Sequence, residues 1–389
     1  MIAKKKTNIG RILFRLFILI FLIAVVIISA MYAFDGSFPG EINWELFNPA
    51  GIVEKIRNNY ENERGGVIFS GDINPKLAEI YMGNLLILSE SDIELINSKG
   101  EELWYIPHEM HNPVINVHDK LILLYEQTGK AYLVISGGKT LLKDKLDEEI
   151  AFGYITDDYV LFISRSNIGY KRTVRMIEPD SGINLGALYI DDYYPYCAIP
   201  QSGEKKTFLL YGLGLDSIYP STVIREYGID LNPSPVMGVE LDDITPLFCS
   251  NDSMKLFVGE NNAYCYDNDF TLIWSRDFDY NIVSAGMFDN GASVFVLEDY
   301  QNDTVVFVDK QGKDVKSIKL DNHVNEIEIC GNSAAVVKGA EILFYGHSGK
   351  QSDHVTIPGM NIKVKLIDEK RAYLISEHEI ILHNIAKNK

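Results

Sequence analysis

The stretch DTVVFVDKQG (303–312) places a run of β-branched and aromatic side chains directly before a polar corner that ends in glycine. The same succession recurs along the chain. The corner closes at Gly100, Gly138, Gly182, Gly312 and Gly349, with polar substitutes near Asn232 and at Asp267-Asn268-Asp269. From Gly100 to Gly349 six intervals cover 249 residues, about 41 each, and a period near 40 with four strands per unit is typical of a β-propeller blade.

The units between the corners read as antiparallel strands. After Gly65-Gly66, runs rich in Val, Ile, Tyr, Phe and Leu alternate with Gly, Asn, Asp and Ser clusters, and no long amphipathic pattern is present. The units begin near Pro75, Asn112, Ile150, Tyr194, Ile244, Asn281, Val324 and Asn361. The sequence therefore predicts an all-β propeller of four-stranded blades, most simply eight, with seven as the alternative if one unit is a long insertion.

The last unit contains only three strands before the chain ends. Residues 67–70 (VIFS) could supply its missing outer strand, which would close the ring and leave no open junction between the first and last blades. Residues 67–386 amount to 320, or eight units of 40. An N-terminal closing strand is therefore part of the prediction.

Some of the corners resemble a known repeat. INSKGEELW (96–104) is similar to the quinoprotein-type propeller repeat, YDNDFTLIW (266–274) is a weaker match, and DKQGKDVKSI (309–318) keeps the corner without the tryptophan. The chain as a whole resembles a membrane-anchored, quinoprotein-like or WD40-like propeller of the kind grouped in domain-of-unknown-function families. Such a resemblance implies a fold and says little about activity.

A bound quinone is one activity that the resemblance raises. It would need a flat aromatic floor, calcium-binding carboxylates and basic partners for the quinone. The chain has three tryptophans, of which Trp44 precedes the propeller. Trp104 and Trp274 are predicted to lie on outer strands and to pack between blades. No cofactor is predicted.

The N-terminal residues have a different composition from the rest. Leu16 to Phe34 are 19 residues without a charge, preceded by five basic residues and no acidic one. A helix of this length spans about 28 Å, and basic flanks remain in the cytoplasm. We predict a cytoplasmic basic tail (1–11), a transmembrane signal-anchor (12–34), a stalk with a short juxtamembrane helix (35–66) and an extracytoplasmic propeller (67–389). A signal peptide cleaved near Ala30 or Ala33 is the alternative.

Charge excludes one class of partner. The net charge is −18, and residues 35–389 carry 31 basic and 54 acidic side chains. A surface so acidic repels phosphate backbones, so no nucleic-acid partner is predicted.

No motif for catalysis or metal binding is found. The sequence lacks G-x-S-x-G, Walker A and helix-opening G-x-G-x-x-G patterns. His108-Glu109-Met110-His111 lies between two prolines and lacks zinc-protease spacing, so a solvated loop is the preferred interpretation. The four cysteines lie in apolar strands and are predicted to be buried thiols, with a Cys197–Cys249 disulfide as the alternative. The sequence predicts no catalytic residue, no metal ligand and no enzymatic activity.

The loops that join the units are rich in acidic residues. In a propeller these loops share one face with the middle hairpin loops, so the acids at 144–149, 191–192, 242–243, 277–279 and 321 should lie at one rim. Tyrosines lie among them, and the middle loops 164–172 and 211–222 are long. The candidate interaction surface comprises Asp191, Asp192, Tyr193, Tyr194, Tyr196, Tyr219, Asp242, Asp243, Asp277, Asp279 and Tyr280. A merely solvated acidic face is the alternative.

The predicted function follows from these features. The sequence favours a membrane-tethered, non-catalytic protein-interaction scaffold at the cell envelope, with another envelope protein as its partner. A propeller that binds carbohydrate or wall polymer is the second possibility. A quinoprotein-type or hydrolytic enzyme is the third.

Overall fold

A computed structural model describes residues 65–71, 77–201, 206–300, 302–359 and 361–386. These residues form thirty-two strands in eight four-stranded antiparallel sheets. The prediction of an eight-bladed all-β propeller is confirmed. In the part of the chain that the structure describes, no helix is long and apolar enough to cross a membrane. The predicted anchor and most of the predicted stalk lie outside the described residues.

The blades follow one another along the chain, and blades 1 to 7 each consist of four consecutive strands. Blade 1 comprises β2 (Leu77–Tyr81), β3 (Asn84–Leu88), β4 (Asp92–Ile96) and β5 (Glu102–Pro107). Blade 2 comprises β6 (Pro113–His118), β7 (Leu121–Glu126), β8 (Ala131–Ser136) and β9 (Lys139–Lys145). Blade 3 comprises β10 (Ile150–Ile155), β11 (Val160–Arg165), β12 (Arg172–Ile177) and β13 (Asn184–Ile190). Blade 4 comprises β14 (Tyr194–Pro200), β15 (Thr207–Gly214), β16 (Ser221–Gly228) and β17 (Met237–Leu241).

The second half of the ring repeats this order. Blade 5 comprises β18 (Leu247–Ser250), β19 (Met254–Val258), β20 (Asn262–Asp267) and β21 (Leu272–Asp277). Blade 6 comprises β22 (Asn281–Met287), β23 (Ser293–Glu298), β24 (Asp303–Val308) and β25 (Asp314–Lys319). Blade 7 comprises β26 (Glu326–Cys330), β27 (Ser333–Lys338), β28 (Glu341–Gly346) and β29 (Gln351–Thr356). Blade 8 comprises β30 (Lys363–Asp368), β31 (Arg371–Ile375), β32 (Glu379–Asn384) and, as its outer strand, β1 (Gly65–Ser70).

The ring is closed by β1, as predicted. It pairs antiparallel with β32, from Gly65 opposite His383 to Ser70 opposite Glu379. Residues from the start of the described chain thus complete the sheet built by its end. The ring closure depends on this one six-residue strand.

The core lies between blades. One apolar cluster fills each of the eight junctions, including the junction between blade 8 and blade 1. Successive side chains of a strand point to opposite faces of its sheet, so each strand contributes apolar side chains to the junctions on both sides of its blade. Each blade is therefore stabilised by both of its neighbours.

The strand order defines two faces. The first strands of neighbouring blades contact one another. For example, β26 contacts β30, and β2 contacts β6. The first strands therefore surround the central channel. The loops between blades and the loops between second and third strands lie on one side, which we call the inter-blade face. The polar corners between third and fourth strands lie on the opposite side, the corner face. Gly65 begins β1 at the corner face.

The corner glycines are contact points between blades. Gly312 and Gly138 both have a φ of +78°. A Cβ on Gly312 would lie 2.7 Å from the Trp274 ring, and one on Gly138 would lie 2.6 Å from the Trp104 ring. The prediction that Trp104 and Trp274 pack between blades is confirmed. The recurring glycine is needed both for backbone conformation and for close approach of the preceding blade.

Candidate interaction surface

Four of the predicted acids are free on the inter-blade face. Asp191 follows blade 3, Asp242 follows blade 4, Asp277 is the last residue of β21 in blade 5, and Asp279 lies in the loop between blades 5 and 6. All four are exposed. Within the described residues none of these carboxylates has a hydrogen bond or an ion pair. They are therefore available to a basic group from outside the chain.

Two other predicted acids are engaged within the protein. The Asp192 carboxylate lies 2.7 Å from the Arg225 guanidinium. Asp243 accepts hydrogen bonds from Asn262 Nδ2 at 2.9 Å and from the hydroxyl of Tyr264. Burial first, and then Asp243, raises the pKa of Tyr264, so this phenol stays protonated and donates a hydrogen bond to the carboxylate. These two acids fix the loops onto blades 4 and 5.

The wider acidic rim is partly neutralised. Asp144 lies on outer strand β9 rather than in a loop. Glu148 pairs with Arg175 at 3.3 Å, and Asp321 pairs with Lys338. The predicted acids that remain free on this side are Asp147, between blades 2 and 3, and the four acids around blades 3 to 6.

The predicted tyrosines divide into buried and exposed groups. The prediction that Tyr193 belongs to an exposed surface is wrong, because its side chain is 0% exposed in the junction between blades 3 and 4. The Arg225 guanidinium lies 5.3 Å from its ring centroid. Tyr194 and Tyr196 are half-buried, Tyr194 beside the Lys171 amine and Tyr196 against Tyr211. Tyr219 and Tyr280 are exposed.

The two long loops of blades 3 and 4 present apolar side chains to solvent. Ile218 is 91% exposed and Tyr219 is 78% exposed, and Ile168 and Leu215 are also exposed. An ion pair of 2.8 Å between Lys171 and Asp216 joins the two loops. Several exposed large apolar side chains on one short loop, as with Leu215, Ile218 and Tyr219, mark an interaction site. We call Ile168, Leu215, Ile218 and Tyr219 the apolar tips.

Sequence reasoning located these loops by their length but did not single out Ile168, Leu215 or Ile218. It also missed Tyr300, which is 99% exposed in the loop between the second and third strands of blade 6. The only signal for Tyr300 was its place among polar residues in a middle loop. No periodic pattern distinguishes such a side chain from a buried one.

The central channel contains a second charged cluster. Lys365 Nζ on β30 lies 3.3 Å from Glu79 on β2 and 3.4 Å from Glu328 on β26. Burial raises the pKa of Glu328 to about 7, and Lys365 opposes this while Glu79 and Glu326 reinforce it. Three blades are thus linked across the ring closure. A cavity of about 510 Å³ lies beside Glu79, lined also by Ile80, Met82, Ile115, Asn116, Val117 and Asp119.

We expect Glu328→Gln to reduce the pH dependence of stability. A folded-state pKa above the ordinary value of 4.5 means that this group stabilises the fold most below pH 4.5 and loses that contribution as the pH rises through about 7. The melting temperature of the wild type should fall more than that of Glu328→Gln between those two pH values. Glu102→Gln, at an exposed carboxylate on β5, is the matched control. Parallel curves for wild type and Glu328→Gln would contradict this assignment.

Other groups that could carry chemistry are separated. Within the described ranges no three His, Cys, Asp or Glu side chains are arranged to hold a metal ion. His108 is buried, while His111 is exposed in the same inter-blade loop. All four cysteines are free thiols, and burial raises the pKa of Cys197 and Cys249 to about 12. These thiols are protonated and unreactive at neutral pH.

Comparisons with known proteins support the fold. A model described as a family of unknown function (DUF5711) matches residues 70–163, which span blade 1, blade 2 and the start of blade 3. No curated protein matches the sequence.

Among solved structures, BamB from Moraxella catarrhalis is 11% identical, with 82% of this chain and 100% of BamB covered and a TM-score of 0.56. Sqt1 from Saccharomyces cerevisiae is 10% identical, with 82% of this chain and 98% of Sqt1 covered and a TM-score of 0.61. The C-terminal WD40 domain of Sif2 is 11% identical, with 82% of this chain and 99% of the Sif2 domain covered and a TM-score of 0.59. The chain therefore has a BamB-like and WD40-like propeller fold.

Proposed function

We propose that this protein is a non-catalytic interaction scaffold whose inter-blade face binds another protein. The observation that carries the proposal is the pair of long loops that holds the apolar tips in solvent beside free carboxylates. Apolar anchors surrounded by charge are the usual composition of a protein-binding surface. The docking surface is defined as the apolar tips together with Asp191, Asp242, Asp277 and Asp279.

The charge of the docking surface specifies its partner. Four unpaired carboxylates favour a protein whose contact region carries Lys or Arg around an apolar pocket, because complementary charge speeds encounter and excludes acidic competitors. The apolar tips would supply most of the affinity, since desolvated apolar anchors dominate interface energies. Metal, cofactor and catalytic residues play no part in this proposal.

The location is proposed from the sequence. Residues 12–34 would tether the propeller to the cell membrane with its bulk outside the cytoplasm, and the partner would be another envelope protein. The chain enters the propeller at Gly65 on the corner face, opposite the docking surface. The docking surface therefore faces away from the point where the tether joins the propeller.

Substitution of the apolar tips should abolish partner binding. We expect the full-length double variant Ile218→Ser/Tyr219→Ser, purified from native membranes in mild detergent, to retain at most about a tenth of the co-purifying partner, because two desolvated anchors are lost. Leu103→Ser is the matched control, at an exposed apolar side chain on outer strand β5. An unchanged co-purification profile for the double variant would contradict the proposal.

A carbohydrate or wall polymer is the second candidate ligand. The exposed rings of Tyr219, Tyr280 and Tyr300 favour it, because aromatic faces on a rigid scaffold can stack on sugar rings. In that case purified wall material would sediment the wild type and not Tyr219→Ser. In that case no co-purifying protein would be lost when the apolar tips are substituted.

A further inference from the structure

The outer strand of blade 3 differs from the other outer strands in its charge. β13 reads NLGALYI and contains no Asp, Glu, Lys or Arg. Of the other seven outer strands only β1 shares this property, and the remaining six carry at least one ionisable side chain. Charges on outer strands prevent edge-to-edge pairing with other chains. β13 lacks that protection.

The outer edge of β13 is available. β12 pairs with one edge, from Arg172 opposite Ile190 to Ile177 opposite Asn184. Among the described residues no strand pairs with the other edge. Leu185 is 52% exposed and Tyr189 is 42% exposed, and the register shift opposite Met176 and Ile177 makes Leu185 the extra residue of a β-bulge in this strand. By contrast, β1 exposes only one large apolar side chain, Phe69.

Acidic side chains mark both ends of this edge. Asp180 lies in the turn before β13, and Asp191 follows its last residue. Both are exposed, and within the described residues neither carboxylate has a partner. The neutral apolar edge is therefore bounded by negative charge at both ends of a seven-residue strand, which is about 23 Å long when extended. This arrangement is complementary to a short apolar segment with basic ends.

We infer that β13 binds an extended peptide segment of a partner protein as a fifth strand of blade 3. The segment adds its backbone hydrogen bonds to the free edge, packs apolar side chains against Tyr189 and Leu185, and places Lys or Arg opposite Asp180 and Asp191. Tyr170 from the long loop of blade 3 lies 5.1 Å from the Tyr189 ring and extends this apolar strip toward the inter-blade face. The site is separate from the apolar tips and does not depend on them.

A second copy of the chain is a weaker occupant. Each copy has a net charge of −18, and two acidic copies would bring Asp180 and Asp191 of one close to those of the other in an antiparallel pair. Like charges opposite one another destabilise such pairing. A basic-ended segment from another protein removes this repulsion.

The test uses the full-length protein and a displayed library of random short peptides. We expect the selected peptides to alternate apolar residues between basic ends, to protect outward-pointing amides of residues 184–190 from hydrogen exchange, and to lose at least about tenfold in affinity to Leu185→Lys/Tyr189→Lys. Val315→Lys on outer strand β25 is the matched control and should bind as the wild type does.

Three results would overturn the inference. The first is a set of selected peptides that bind wild type and the Leu185→Lys/Tyr189→Lys variant equally. The second is protection of the outward-pointing β13 amides in the free chain without peptide. The third is a dimer, measured by sedimentation, that the same substitutions dissolve. The Ile218→Ser/Tyr219→Ser variant should still bind the peptides. A failure of the β13 inference can therefore be distinguished from a failure of the proposed docking surface.

Discussion

Gly100→Ala should destabilise the protein by about 3 kcal/mol, because the new Cβ would clash with the strand that closes the ring. Gly100 has a φ of +80°, and a Cβ there would lie 1.7 Å from the carbonyl oxygen of Ile68 on β1. A backbone atom cannot rotate away as a side chain can. The alanine therefore either displaces β1 from blade 8 or leaves the left-handed conformation and breaks the corner.

Gly83→Ala is the matched control for this prediction. Its φ of +76° gives a similar backbone penalty, but a Cβ there would meet nothing within 4 Å. Alanine at this φ costs about 1 kcal/mol. Urea midpoints followed by tryptophan fluorescence should separate the two variants clearly. Equal midpoints for Gly83→Ala and Gly100→Ala would mean that the close approach to β1 does not stabilise the closure.

The second large effect is expected at His383. This side chain on β32 is buried and lies 2.9 Å from the Asp353 carboxylate on β29, so the pair joins blades 7 and 8. Burial alone would raise the pKa of Asp353, but hydrogen bonds from the Ala386 and His354 amides and from His383 hold it below its ordinary value. His383→Ala removes a hydrogen-bond donor from this buried carboxylate, which should cost about 3 kcal/mol at neutral pH.

The pair of His323 and Asp303 provides the control. Its ring nitrogen and carboxylate oxygen are 2.8 Å apart, but His323 is half exposed, so water can replace the ring after His323→Ala. The loss there should be about 1 kcal/mol or less. The stability that the Asp353 carboxylate contributes is present above pH 3.8, the ordinary pKa of the group. It is lost as the pH falls through the lower pKa that Asp353 has in the folded state. A similar loss for both alanine variants would contradict the role assigned to the buried pair.

The architecture was largely predictable because its signal repeats. A β-branched run before a polar corner, which ends in glycine in five of the blades, marks the third strand, and the period then fixes the positions of the other strands. Residues 67–70 could be assigned to blade 8 because the final unit visibly lacked one strand. The observed first strands at Ile150, Tyr194 and Asn281 begin at the predicted residues, and none of the others begins more than three residues away.

The site was less predictable because exposure depends on packing across blades. Tyr193 and Tyr219 both lie in loops of the inter-blade face, yet Tyr193 is inserted under Arg225 and Tyr219 extends into solvent. The channel cluster joins Glu79 to Lys365, which are 286 residues apart. Only the register of the inner strands brings them together, and a single sequence does not contain that register.

The most direct test of the docking surface is site-specific photo-crosslinking of the full-length protein in its native membrane. A benzoyl-phenylalanine residue in place of Ile218 probes the apolar tips, and the same residue in place of Met82 probes an exposed position on the corner face. We expect one abundant protein adduct from position 218, reduced when Asp191 and Asp242 are replaced by asparagine, and no such adduct from position 82. A specific adduct from position 82 with none from position 218 would contradict the proposed docking surface.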